Sequence, residues 1–198
     1  MIQRRSKSFS LDRLVKVAIL ASISYLLMFV QMPIPIAPPF MKVDLADVPA
    51  LIGGFAMGPW YGVLIQLIKN VLNLSKTMTG GVGELSNFVV GSTFVLVSSF
   101  IYRNKKTRKN SILALVLGIV AMSAVATLSN AFVVFPIYGR VMNIELEAFA
   151  AMIPENNLVS NYMTMMLFSI TPFNLIKGAI EAIITQLLYK RISPILKF

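Results

Sequence analysis

The sequence predicts an all-α integral membrane protein of six transmembrane helices, with both termini on the cytoplasmic side. Three observations carry that expectation. Of the 198 residues, 57% are hydrophobic and only 13% charged, with a mean hydropathy of +0.76; an ordinary soluble domain carries about 25% charged residues. The apolar residues come in runs that approach or exceed the ~20 needed to cross a bilayer, not in the short alternating segments of a membrane barrel. The basic residues gather at the ends of those runs, where Lys and Arg mark cytoplasmic flanks.

The chain reads as a single transmembrane domain over residues 1–198. Residues 1–10 form a basic cytoplasmic lead with Arg4, Arg5 and Lys7. The first helix covers about 11–31, with Ser10 or Asp12 as its starting cap. No small-x-small cleavage site follows it, so it is read as an uncleaved helix and not a signal peptide. Residues 32–46 make an outer loop whose Pro33, Pro35, Pro38 and Pro39 argue against a regular ladder. Lys42, Asp44 and Asp47 lead into an apolar run from about 48 to 74. A glycine-rich break spans 75–83, and a helix follows over about 84–102. After the basic stretch 103–109, another apolar segment runs from about 111 to 138. A second outer loop, 139–161, holds Glu145, Glu147 and Glu155, with a short interfacial helix near 146–152. The last helix lies within 162–189, restarts at Pro172 and ends in Lys190-Arg191, with Lys197 beyond.

Charge parity decides how the run 48–74 is divided. Basic clusters stand at the N-terminus through Lys16, at 103–109 and at the C-terminus, and they belong on one side. A single crossing in 48–74 puts the first two clusters on opposite sides. Two crossings put all three inside and make Gly58-Pro59 a turn at the inner face. The second helix is then short: residues 44–57 give about 21 Å of helix against a hydrocarbon core of about 30 Å. It must be tilted or sheltered by its neighbours.

Polar residues inside a membrane are costly and usually face the bundle or a cavity. Gln66, Lys69 or Asn70, and Asn73 recur at helical spacing, as do Glu84, Asn87 and Gly91. Ser123, Thr127 and Asn130 form a third stripe, and Asn174, Lys177 and Glu181 a fourth. In the six-helix topology all four stripes converge on the outer half of the bundle, as a small-molecule pocket beside the proline-rich loop would require. Carboxamides there suit a neutral ligand with an amide-like edge, and Lys177 adds a charged donor. Met41, Phe40, Phe88, Phe132 and Phe173 are available to enclose a flat ring. Plainer readings stand beside these. Ser123 and Thr127 can simply bond the backbone one turn back. Lys177 and Glu181 can neutralise each other, and Lys69 and Lys76 can snorkel to the headgroups. The asparagines can be caps or interhelical contacts.

Composition also excludes functions. There is no Cys and no His, which removes thiol and imidazole catalysis and most zinc or haem sites. An intramembrane enzyme would rest on Glu84, Lys177 and Glu181, which form no recognisable constellation. The net charge of +10 is explained by topology and not by nucleic acid. No phosphate-binding loop is present, because Gly80-Gly81-Val82-Gly83-Glu84 lacks the lysine and hydroxyl. A stand-alone secondary transporter is disfavoured by the absence of an internal repeat.

With these residues assembled, the chain resembles the S components, the substrate-binding subunits, of energy-coupling-factor (ECF) vitamin transporters, most of all the riboflavin-specific branch. The likeness rests on Lys42-Val-Asp-Leu-Ala-Asp-Val-Pro49, Gly53-Gly-Phe-Ala-Met-Gly-Pro-Trp-Tyr-Gly62, Glu84-Leu-Ser-Asn87 and Pro172-Phe-Asn-Leu-Ile-Lys177. The resemblance implies a transport subunit of the plasma membrane without catalysis of its own, and with neither cofactor nor metal. It further implies riboflavin held near the outer face, with an S component for another vitamin as the alternative. The ligand residues it implies, together with the stripes, are Asn174, Lys177, Asn130, Asn87, Glu84, Asn73, Thr171, Phe40, Met41 and Lys42. It also implies docking, one copy per complex, on a transmembrane coupling protein served by two ATP-binding-cassette ATPases. The docking face would be the first helix at Ala18, Ala21 and Ser22, where Ser22 departs from the family's alanine pattern.

Overall fold

The computed structural model describes residues 11–77, 80–153 and 157–196. The basic lead 1–10, Glu155 and Lys197 lie outside them. The described chain is a helical bundle. Helix α1 spans Leu11–Leu27, and α2 and α3 span Asp47–Met57 and Pro59–Asn73. Helix α4 covers Val82–Asn104, and α5 covers Arg108–Ser129. A π-helical turn, Asn130–Val134, joins α5 to α6 at Phe135–Met142. The short α7 is Leu146–Ala151, and α8, Tyr162–Met165, passes through a second π turn, Met166–Ile170, into α9 at Thr171–Leu196. Three of these bodies, Val82–Asn104, Arg108–Met142 and Tyr162–Ile192, are long and apolar enough to cross a membrane, and Asp47–Met57 is a shorter apolar helix.

The run 48–74 is divided where charge parity divides it. Gly58 has φ +121° and ψ 160°, a backbone region open essentially to glycine alone. Pro59 follows at the first turn of α3, where its missing N–H removes nothing the helix would use. The two helices then close on each other at Gly62, where a Cβ would meet the Ala50 carbonyl oxygen at 2.8 Å and Gly54 Cα at 3.1 Å. At eleven residues, α2 is about 16 Å long. Shelter answers that shortness. Helix α2 lies against α1, α3, α4 and α9, and every residue from Asp47 to Phe55 is buried.

Three other expectations are corrected. Helix α1 stops at Leu27 instead of reaching Gln31. The proline-rich loop does form a ladder, though a minimal one: Met32–Pro33 (β1) pairs antiparallel with Lys42–Val43 (β2). Proline lacks only the donor, so it is tolerated at a sheet edge. The last helix does not break before Pro172. The π turn carries it through, and a matching π turn precedes Pro136 on α6. Widening the turn lets the helix pass a proline that would otherwise clash with the carbonyl four residues back.

Two apolar clusters fill the bundle. The larger joins α1 to α5 and α9 around Leu51, Ile65, Phe94 and Met122. The second lies at the end of the bundle that carries the 139–161 loop and includes Phe135, Tyr138, Phe149, Tyr162 and Met165. A small third group, Ala37, Val43 and Phe173, seats the proline-rich loop on α9. At the opposite, basic end, Phe55 stacks on Tyr102 with centroids 4.5 Å apart, and both meet Tyr189 edge-on.

A pocket over a buried charge cluster

A cavity of about 540 Å³ opens between the proline-rich loop and the ends of α3, α4, α5 and α9. Nine of the ten residues expected from the sequence to hold a ligand line it: Asn174, Lys177, Asn130, Asn87, Glu84, Asn73, Phe40, Met41 and Lys42. Thr171 is elsewhere. Its hydroxyl donates to the Met166 carbonyl (2.9 Å) and lies 2.7 Å from the Thr127 hydroxyl, bracing the second π turn against α5. Of the aromatics, Phe40 and Phe173 face the cavity, whereas Phe132 is exposed on the outside of the bundle.

The asparagines are held with spare bonding capacity. Asn130 Nδ2 donates to the Ala126 carbonyl at 2.7 Å, and Asn174 Nδ2 to the Ile170 carbonyl at 2.8 Å. Each bond uses one amide hydrogen, which leaves a second donor and the Oδ1 acceptor for the cavity. The π turns do the placing, since Asn130 begins one and Asn174 sits one turn beyond the other. By contrast, Asn73 and Glu84 are engaged with each other. Asn73 Nδ2 donates to Glu84 Oε1 at 3.0 Å, and the Thr77 hydroxyl donates to Oε2 at 2.9 Å, tying the end of α3 to the start of α4 at the cavity mouth. Phe40 anchors the loop among Phe135, Tyr138 and Phe149, with centroids 5.9–6.1 Å away.

Below Lys177 the cavity floor is a cluster of charges. Lys177 Nζ stands 3.8 Å from Asp44 Oδ1, from Asp47 Oδ2 and from Glu181 Oε1. At that distance the carboxylates hold the ammonium electrostatically but accept no hydrogen bond from it, so its donors remain available to a ligand. Asp44 accepts from the Ala46 backbone N–H at 2.9 Å. Asp47 accepts from Gln66 at 2.9 Å and pairs directly with Lys69. Lys69 is fully buried, which corrects the snorkelling expectation. Its face of α3 turns toward α2, and only a buried carboxylate makes that position tolerable for a charge. Lys76 is exposed, with its ammonium 4.2 Å over the Phe29 ring. The simple Lys177–Glu181 pairing is also superseded, because Asp44 and Asp47 share the ammonium. Thr127 does bond the Ser123 carbonyl one turn back (2.9 Å), while the buried Ser123 hydroxyl has no partner among the described residues.

Several wall residues were not anticipated, among them Met28, Phe29, Val90, Val134 and Tyr138. Asp44 and Asp47 lead into the second helix in the sequence reading, with no site role assigned to them. Their signal was available: two acids at the head of an apolar run, with two intramembrane lysines elsewhere to neutralise. On α1, Ala18 and Ser22 are exposed on one face, while Ala21 is turned into the core.

The sequence profile described as "ECF transporter, substrate-specific component" matches residues 12–189. The chain belongs to that family. It is a multi-pass plasma-membrane transport component and not an enzyme. Among curated proteins, the riboflavin transporter RibU of Staphylococcus aureus (strain TCH60) is 35% identical over 93% of this chain and 92% of its own length. The riboflavin transporter FmnP of Bacillus subtilis (strain 168) is 30% identical over 92% of each chain. A solved structure described as the S component of a bacterial ECF transporter superposes with a TM-score of 0.73 at 33% identity, covering 94% of this chain and 98% of that one.

Proposed function

We propose that this S component binds riboflavin from the outer face and delivers it inward. The observation that carries the reading is the convergence of Asn130, Asn174 and Lys177, with unspent donors and acceptors, on one cavity also lined by Phe40, Met41 and Phe173. An isoalloxazine has one edge of alternating carbonyl and N–H groups and two broad apolar faces. The amides and the ammonium complement the edge, while Phe40, Met41 and Phe173 cover the faces. Relatives named as riboflavin transporters support the same choice.

In this account the protein has six spans, α1 to α5 and α8–α9, with the Gly58-Pro59 turn and both termini cytoplasmic. One copy docks on a transmembrane coupling protein served by two ATP-binding-cassette ATPases. The exposed Ala18–Ser22 face of α1 is the contact, because small residues at i, i+4 permit close helix approach. Substitution tests the ligand assignment. Asn174→Ala and Lys177→Ala should each weaken riboflavin binding by about 1–3 kcal/mol, as expected when a buried bond is lost and its partner left unpaired. Unchanged dissociation constants in both variants would return these residues to a structural role.

A further inference from the structure

A second cavity, of about 340 Å³, lies on the outside of the bundle between α5 and α9, remote from the flavin pocket. Its floor is Leu115 and Ala182, both buried, and its rims are Ile112, Val116, Ile183 and Leu187, all exposed. The groove exists because α9 presents small residues, Ala179 and Ala182, opposite the branched side chains of α5. Its lining is apolar apart from Gln186, whose carbonyl oxygen is taken by the Ser111 hydroxyl.

One end of this groove is basic. Arg108 stands one turn before Ile112 on α5, and Lys190 and Arg191 stand one turn after Gln186 and Leu187 on α9. Residues four apart share a helix face, so these three cations continue the two rims. All three are exposed, and no ion pair involves them among the described residues. Helix α5 contains no acid, and Glu181, the one acid on α9, is buried inside the bundle. The groove is apolar along its length and basic at one end. It has the form of an acyl-chain slot capped by uncompensated positive charge.

We propose that the α5–α9 groove is a specific site for an anionic glycerophospholipid. One acyl chain lies over Leu115 and Ala182, and the phosphate sits among Arg108, Lys190 and Arg191. Polybasic segments gain about 1 kcal/mol per Lys or Arg at an anionic surface, or about fivefold in affinity. Here the groove adds a fixed position for the lipid.

Native mass spectrometry of the delipidated, detergent-solubilised full chain tests this. Phosphatidylglycerol and phosphatidylcholine with identical acyl chains are titrated separately. The expected result is one tightly retained phosphatidylglycerol per protein and at least about fivefold weaker retention of phosphatidylcholine. Arg108→Gln, Lys190→Gln and Arg191→Gln together should abolish the headgroup preference and leave equal, weak retention of both lipids. Ala179→Leu, at an exposed position where it fills the slot without entering the core, should lower retention of both lipids while the helical melting curve stays unchanged. Equal retention of the two lipids by the parent protein overturns the proposal. So does an Ala179→Leu variant that keeps the parent's phosphatidylglycerol affinity, a result that would leave the groove to a protein partner.

Discussion

Replacing Asp47 with Asn probes the charge cluster on which the pocket rests. Asp47 is only 1% exposed, pairs with the fully buried Lys69, accepts from Gln66 and lies 3.8 Å from Lys177. Asparagine has nearly the same shape, so no cavity opens. What disappears is the negative charge between two ammonium groups, one of which cannot reach water. Removing one partner of a buried pair costs about 3–5 kcal/mol. For a chain of this length each kcal/mol shifts Tm by about 2–4 °C, so the expected loss is about 6–20 °C. The assay is thermal loss of helical circular dichroism in detergent. The double variant Asp47→Asn with Lys69→Met removes the stranded cation as well, and should recover about half of the loss or more. An Asp47→Asn protein that melts within about 1 °C of the parent refutes the reasoning, because the carboxylate would then not be compensating Lys69. A double variant that loses the full sum of the two single losses refutes it equally.

Further expectations follow from other parts of the fold. Gly58→Ala places a side chain at φ +121° and ψ 160° and should cost about 1–3 kcal/mol; an unchanged melting temperature would show that the α2–α3 turn adopts another conformation. Gly62→Ala drives a Cβ against the Ala50 carbonyl oxygen and should cost a further 1–3 kcal/mol or so, read in the same melt. Glu84→Gln keeps an acceptor for Asn73 but puts a donor opposite the Thr77 hydroxyl. It should weaken riboflavin binding less than Asn174→Ala does in a side-by-side titration, and the opposite order would make Glu84 a direct ligand contact.

The parts of the site legible in the sequence were those encoded by spacing along one helix. Asn174, Lys177 and Glu181 share a face by period alone, and the Gly58-Pro59 pair announces its turn chemically. Charge parity then set the depth of Asn130 and Asn174, and nine of the ten named ligand residues line one cavity. What spacing does not reveal is the partner across a helix interface. Lys69 and Asp47 are 22 positions apart on different helices. Period shows that Lys69 lies on a polar stripe, but not that a carboxylate waits opposite. The same ambiguity affected α1, where Ala18 and Ala21, three residues apart, both fit a small-residue face. The core took Ala21 along with Val17, Leu20 and Ser24, leaving Ala18 and Ser22 outside. Thr171 is named among the ligand residues, but it follows the π turn directly and its hydroxyl meets that of Thr127. No residue pattern marks a π turn in advance beyond the proline that follows it.

The central claim is that the 540 Å³ cavity is a riboflavin site. Its most direct test is a fluorescence titration of riboflavin with the purified full chain, stripped of any flavin carried through purification. The account predicts saturable quenching at one flavin per protein, with a dissociation constant well below micromolar. Undiminished riboflavin fluorescence at micromolar protein would contradict it and assign the pocket to a different vitamin.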